Sequence, residues 1–179
     1  AIYQDETEAI WVGTVEGGIN RLAPGSNSFT HYTTAPPTHL SHNTVSCFTA
    51  DKNGKLWIGT WGGGIGWIDK TNPLNKEFHH VNIPDYFDIT WGFVCAICYD
   101  PINDGIWIAT SNSIYIFDLK RQTVIEPFKG LNLGGMEGGN AGCFIDKENH
   151  LWLGMTAGLC RIDLQTLRTP KLIYKLWKR

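Results

Sequence analysis

The chain has 179 residues, a formal net charge of −2 and 18% charged residues, with no run of like charge that would mark a nucleic-acid-binding face or a disordered tail. That length can bury a substantial core, and its longest apolar run, 92–99, is far too short to span a bilayer. Twenty glycines and 12% aromatic residues suit an all-β chain with many tight turns.

In chain order, residues 1–5 read as a short strand ending in Asp5, followed by a turn over 5–8. The segment Ile10-Trp-Val-Gly-Thr14 comes next, then a Glu16-Gly-Gly18 turn, a strand over 19–22 and a more polar strand over 29–33. After a connection over 35–43 the series repeats. A strand over 45–51, the turn Asp51-Lys-Asn-Gly54 and Leu56-Trp-Ile-Gly-Thr60 lead to Gly62-Gly-Gly64, then to strands over 65–68 and 77–82. The third series runs 94–100, Ile106-Trp-Ile-Ala-Thr110, Ser111-Asn-Ser113, 114–117 and 124–128. The fourth runs 142–146, Leu151-Trp-Leu-Gly-Met155, 159–162 and 172–177.

Trp11, Trp57, Trp107 and Trp152 thus recur at intervals of 46, 50 and 45 residues, the mark of one supersecondary unit used four times. Side chains alternate along a strand, so Leu56, Ile58 and Thr60 share one face while Trp57 and Gly59 share the other. Gly13, Gly59, Ala109 and Gly154 keep the tryptophan face shallow enough for a neighbouring sheet. Both faces are apolar, so each sheet is expected to lie between two others. The expected fold is all-β: β-propeller blades, four blades of four antiparallel strands each, over approximately 1–33, 44–83, 93–129 and 141–178, in a single propeller segment.

Other chemistries fit the repeated residues poorly. Asp5, Asp51, Asp100 and Asp146 each open a turn in which an Asx hydrogen bond is reason enough for the residue, and a calcium site would need further carboxylates. Asn53-Gly54 suits a two-residue hairpin. Gly62-Gly-Gly64 precedes a strand rather than a helix and lacks a phosphate-binding lysine. Cys95 and Cys98 point to opposite faces of a strand, and the five cysteines read as small hydrophobes. No metal and no cofactor are expected.

The run Asp51-Lys-Asn-Gly-Lys-Leu-Trp-Ile-Gly-Thr60, with Gly62-Gly-Gly-Ile65, Trp67-Ile-Asp69 and the lead-in Leu40-Ser-His-Asn-Thr-Val45, resembles the two-component regulator propeller repeat. The likeness is specific in the first two units and weaker after them, where Ala109, Ser111-Asn-Ser113 and Met155 depart from it. It implies part of a larger propeller of the seven-bladed type, in an extracytoplasmic or periplasmic sensor segment of a bacterial hybrid two-component regulator that binds an oligosaccharide to control polysaccharide utilisation. The regulator's kinase region has no counterpart in these residues. Two other readings remain: a protein–protein scaffold, and a propeller lyase similar to the streptogramin lyases. The lyase reading lacks support in the six histidines. His79 and His80 face opposite ways on an outer strand, and His39 and His42 sit on a connection with no carboxylate partner visible in sequence. No enzymatic activity, nucleic-acid partner or membrane contact is therefore expected of this segment.

The ligand site is expected where the turns after the tryptophan strands meet the connections between blades. Trp61 has no aromatic equivalent among Val15, Ser111 and Thr156, so the scaffold does not require it. Tyr86, Phe87 and Trp91 also lie outside the repeat; Phe87 and Trp91 either plug the propeller or join Trp61. An aromatic platform of Trp61, Tyr86 and Trp91 beside Asp88 and His42 suits a sugar, whose apolar face stacks while its hydroxyls find donors and acceptors. Uncovered blade faces at the two ends of the series leave three arrangements open: an arc of a larger propeller, two chains forming an eight-bladed ring, or a strained four-bladed ring. A concentration-dependent homodimer through those faces is the expectation to test.

Overall fold

The computed structural model describes residues 1–72, 76–83, 92–129, 142–155, 158–166 and 174–177, with backbone alone at 158 and 174–177. Four antiparallel four-stranded sheets account for these residues, each with its strands in chain order. The first comprises Ile2–Gln4, Ile10–Gly13, Ile19–Leu22 and Phe29–Tyr32; the second Val45–Ala50, Lys55–Thr60, Ile65–Asp69 and His79–His80. The third comprises Val94–Asp100, Gly105–Thr110, Ile114–Asp118 and Thr123–Ile125; the fourth Cys143–Ile145, His150–Met155, Gly158–Asp163 and Tyr174–Trp177. The molecule is all-β, and its sheets are β-propeller blades, as the repeat predicts.

The turn opened by each aspartate differs from the expected two-residue hairpin. Positive φ falls on the residue three after the aspartate in three sheets, at Glu8 (68°), Gly54 (81°) and Asn149 (63°), and on Asp104 (52°) in the longer third turn. The Gly54 amide donates to the Asp51 carbonyl at 3.3 Å, and the Asp51 amide to the Lys55 carbonyl at 3.1 Å. This is a three-residue loop ending in a left-handed residue, which needs positive φ once rather than twice. Asn53 therefore has no need to leave the right-handed region.

The chain divides into two units, Ala1–Val94 and Cys95–Arg179. In the first unit, Trp11, Ile19 and Tyr32 pack against Leu56, Ile58, Ile68 and Phe78. Cross-strand pairing assigns the faces: Trp11 pairs Arg21 and Gly13 pairs Ile19, while Leu56 pairs Ile68. The tryptophan face of the first sheet thus lies on the aliphatic face of the second. The second unit repeats the arrangement, with Trp107, Ala109, Ile114 and Ile116 against Leu151, Leu153, Cys160 and Ile162. The small residue beside each tryptophan permits the approach, since a Cβ on Gly13 would come within 2.5 Å of Val45 Cγ1. None of the five cysteines forms a disulfide in this structure.

Candidate functional site

The residues that hold the blades together must be separated from those free to do something else. Each turn aspartate does two jobs. Its Oδ1 accepts amides of its own turn, as Asp51 does from Asn53 at 2.8 Å and Lys55 at 3.1 Å. Its Oδ2 accepts the indole N–H of the tryptophan on the next strand. The distances are 2.8 Å for Asp5–Trp11, 3.0 Å for Asp51–Trp57, 3.2 Å for Asp100–Trp107 and 2.6 Å for Asp146–Trp152. The four tryptophans are therefore satisfied structural residues. Burial pushes the Asp5 carboxyl up, but hydrogen bonds from the Thr7 hydroxyl, the Trp11 indole and the Thr7 and Ala9 amides outweigh it and hold it below the ordinary carboxylate value. Asp146, Glu148 and His150 bring one ligand atom each within 4.8 Å of one another. Asp146 there serves the same turn, accepting the Glu148 and His150 amides on one oxygen and the Trp152 indole on the other.

Trp61 is different. Among the described residues its indole N–H is buried and has no hydrogen-bond partner. Its backbone amide donates to the Thr44 carbonyl at 3.0 Å, and it forms an isolated antiparallel bridge with Phe93. The two rings meet edge to face, with centroids 6.2 Å apart and planes at 83°. Phe93 is 56% exposed. The Gly62 amide donates to the Gly92 carbonyl at 3.1 Å, tying the turn to the connection that leads into the third sheet.

His42 joins this cluster from the connection between the first two sheets. Its Nδ1 accepts the Thr44 amide at 3.0 Å, so the neutral ring carries its proton on Nε2. Gly62 adopts φ 102°, which favours glycine, and lies against that ring: a Cβ there would be in ordinary contact, 3.5 Å from His42 Cδ2 and 3.7 Å from Nε2. Thr44 also donates its hydroxyl to Glu16 Oε1 at 2.9 Å and accepts the Glu16 amide at 3.2 Å. The Gly18 amide reaches the Asn43 carbonyl at 2.8 Å. Turns after the tryptophan strands and connections between sheets therefore meet on one side of the first unit, bringing Glu16, His42, Thr44, Trp61 and Phe93 together. The side offers an aromatic pair, an imidazole donor and a carboxylate.

Of the sequence-predicted site residues, Trp61 and His42 are brought together. Tyr86, Phe87, Asp88 and Trp91 lie outside the described residues. Phe93, Glu16 and Thr44 were not singled out by sequence. Alternation could have found Phe93, which precedes the buried Val94 and must face the other way. The other histidines have local roles: His79 stacks on Trp67 at 3.9 Å, His80 Nε2 meets the His39 carbonyl at 3.1 Å, and His31 Nδ1 meets Asn20 Oδ1 at 2.6 Å.

Residues 39–62 match the two component regulator propeller family. They include the lead-in, the Asp51–Trp57 unit and Trp61. The match covers one repeat of a series of four sheets of one design. A search of curated proteins finds no match. Among solved structures, the whole chain aligns with the extracellular domain of a B. thetaiotaomicron protein described as a one component system, at 22% identity and a TM-score of 0.77 over 24% of that chain. It also aligns along its whole length with the extracellular domain of a protein of the same organism described as a hybrid two component system, at 23% identity and a TM-score of 0.71 over 21% of that chain. An auxiliary nutrient binding protein from Bacteroides ovatus aligns over 98% of this chain and 40% of its own, at 12% identity and a TM-score of 0.73. At these identities the likeness establishes the fold. The chain spans about a quarter of the first of these structures and a fifth of the second.

Proposed function

We propose that the chain is a ligand-sensing propeller segment of an extracytoplasmic hybrid two-component sensor, and that it binds an oligosaccharide to regulate polysaccharide utilisation. The family repeat at 39–62 and the extracellular two-component domains that share the fold support the sensor assignment. The observation that carries the ligand class is the Trp61–Phe93 pair beside His42 on the connection side of the first unit. Neither aromatic stands at the repeat's tryptophan position, and Trp61 has no aromatic equivalent in the other sheets. A pyranose ring stacks its C–H face on Trp61 or Phe93, and its hydroxyls meet the His42 Nε2–H as donor and Glu16 as acceptor. Tyr86, Asp88 and Trp91 are proposed to extend the same platform. The segment binds and does not catalyse.

The test is calorimetry on the parent regulator's sensor region with neutral and acidic oligosaccharides, comparing wild type with Trp61→Ala, Phe93→Ala and Tyr86→Ala. Loss of affinity of about tenfold or more in the first two, about 1.4 kcal/mol each, is the expected outcome. Unchanged affinity in all three, with folding intact, moves the ligand to another face.

A further inference from the structure

The cysteines of the second unit are not alike. Cys95 and Cys160 are buried, and burial pushes both thiols up. Cys98 and Cys143 are half-buried at the margin of the unit's core, one on the first strand of the third sheet and one on the first strand of the fourth.

The repeat says which way the pair points. Cys143 stands three residues before the turn aspartate Asp146 and pairs Leu153; Phe48 stands three before Asp51 and pairs Ile58. Both therefore lie on the aliphatic face of their sheet. Cys98 stands two residues before Asp100, as Tyr3 stands two before Asp5, and Tyr3 pairs Trp11 on the tryptophan face. Within each unit a tryptophan face lies on an aliphatic face. The places held by Tyr3 and Phe48 in the first unit are thus held in the second by two thiols directed into one interface.

They meet there. The Cys143 thiol hydrogen-bonds the Cys98 sulfur, and the Ile145 amide donates to the same sulfur. The hydrogen bond from Cys143 lowers the pKa of the Cys98 thiol. Burial and the Asp100 charge oppose it, the Ile145 amide assists it, and the net direction is down. Cys98 is therefore the readier nucleophile, and its half-buried position leaves it open to a small reagent, unlike the enclosed Cys95 and Cys160.

We propose that Cys98 and Cys143 form a disulfide that staples the third sheet to the fourth, made by exchange with an oxidising disulfide. The structure holds the pair in its reduced form. The Cys98 thiolate attacks one sulfur of the donor; the donor's S–S bond breaks, and the leaving thiolate takes up the proton that Cys98 has lost. Cys143, deprotonated in turn, attacks the Cys98 sulfur of the mixed disulfide and expels the second donor thiol. Two protein thiols lose two electrons, and one donor disulfide is reduced to two thiols. The inference does not depend on the ligand proposed above.

The experiment equilibrates the full-length protein with excess oxidised glutathione and maps its disulfides by mass spectrometry after digestion without reduction. Wild type yields peptides linked through Cys98 and Cys143, and dithiothreitol separates them. Cys95→Ser still yields the link, whereas Cys98→Ser and Cys143→Ser do not. In the linked protein, amide hydrogen exchange over 143–145 slows at least about tenfold, because the staple prevents the fourth sheet from opening away from the third. The proposal is overturned if folded wild type keeps Cys98 and Cys143 unlinked to each other, if Cys98 joins Cys95 instead, or if the link forms and exchange is unchanged.

Discussion

The second and fourth sheets carry nearly the same strand, Leu56-Trp-Ile-Gly-Thr60 and Leu151-Trp-Leu-Gly-Met155, with the same aspartate six residues before the tryptophan. Their surroundings differ. Trp57 is 2% exposed, while Trp152 is half-buried. A Cβ on Gly59 would collide with Cys47 Sγ and lie 2.7 Å from Val94 Cγ1, but one on Gly154 would meet nothing nearer than 3.7 Å among the described residues. The motif makes the blade in both places. What each residue contributes to stability depends on how fully its side chain is enclosed.

The largest expected effect follows from that contrast. Trp57→Ala empties a closed space and costs about 3–5 kcal/mol in chemical denaturation. Trp152→Ala costs distinctly less, because its side chain is only half-buried to begin with. Equal losses would show that the Asp–indole hydrogen bond, common to both, matters more than burial.

Substitution of the adjacent glycines gives the next effect. Gly59→Val overpacks and costs about 1–3 kcal/mol, while Gly154→Val stays within about 0.5 kcal/mol of wild type. A tolerated Gly59→Val would mean that the sheets on this strand can separate, and the blade register given above would be wrong.

Acid unfolding sharpens what the blades share. Burial works against ionisation of Asp146, but the His150 amide, the Trp152 indole and the His150 ring outweigh it and hold its pKa below the ordinary value. A depressed carboxylate contributes stability that is present above its unfolded pKa and is lost as pH falls through its folded one. Asp146→Asn should therefore lower stability at neutral pH and flatten the acid limb of a melting-temperature profile. An acid limb identical to wild type would assign the pH dependence to other carboxylates.

The smallest effect belongs to Trp61. Trp61→Phe removes a buried donor that has no partner among the described residues, so stability should stay within about 0.5 kcal/mol of wild type or rise. A clear loss would make Trp61 a framework residue like Trp57, four positions before it.

Most of the fold was legible in the sequence because a repeat reports the same local physics four times. Alternation around Trp11, Trp57, Trp107 and Trp152 assigns faces, and glycine beside the indole announces a close neighbour. The aspartates were legible only in part. Their turn-capping role is local, but the indole they accept lies on the facing strand, six or seven residues on, and becomes visible only when the hairpin forms. The hairpin type was misjudged because Asn53-Gly54 allows two positive φ angles where the loop uses one. In the site, Trp61 stood out as an aromatic the repeat does not need. Phe93 did not, because the apolar run after Gly92 reads as one strand until Val94 is seen to point inward.

The sequence by itself determined the blade: strand order, turn positions, the buried tryptophan and the small residue beside it are all consequences of contacts within about fifty residues. Only the tertiary structure decided which faces are covered and which residues meet. Trp61, Phe93 and His42 converge because backbone hydrogen bonds at Thr44 and Gly92 tie the second sheet's turn to the connections on either side of it. Ile2 and Phe144 are left exposed because a sheet face is buried only when another sheet lies on it. That condition involves two elements at once, so no pattern within a single strand can encode it.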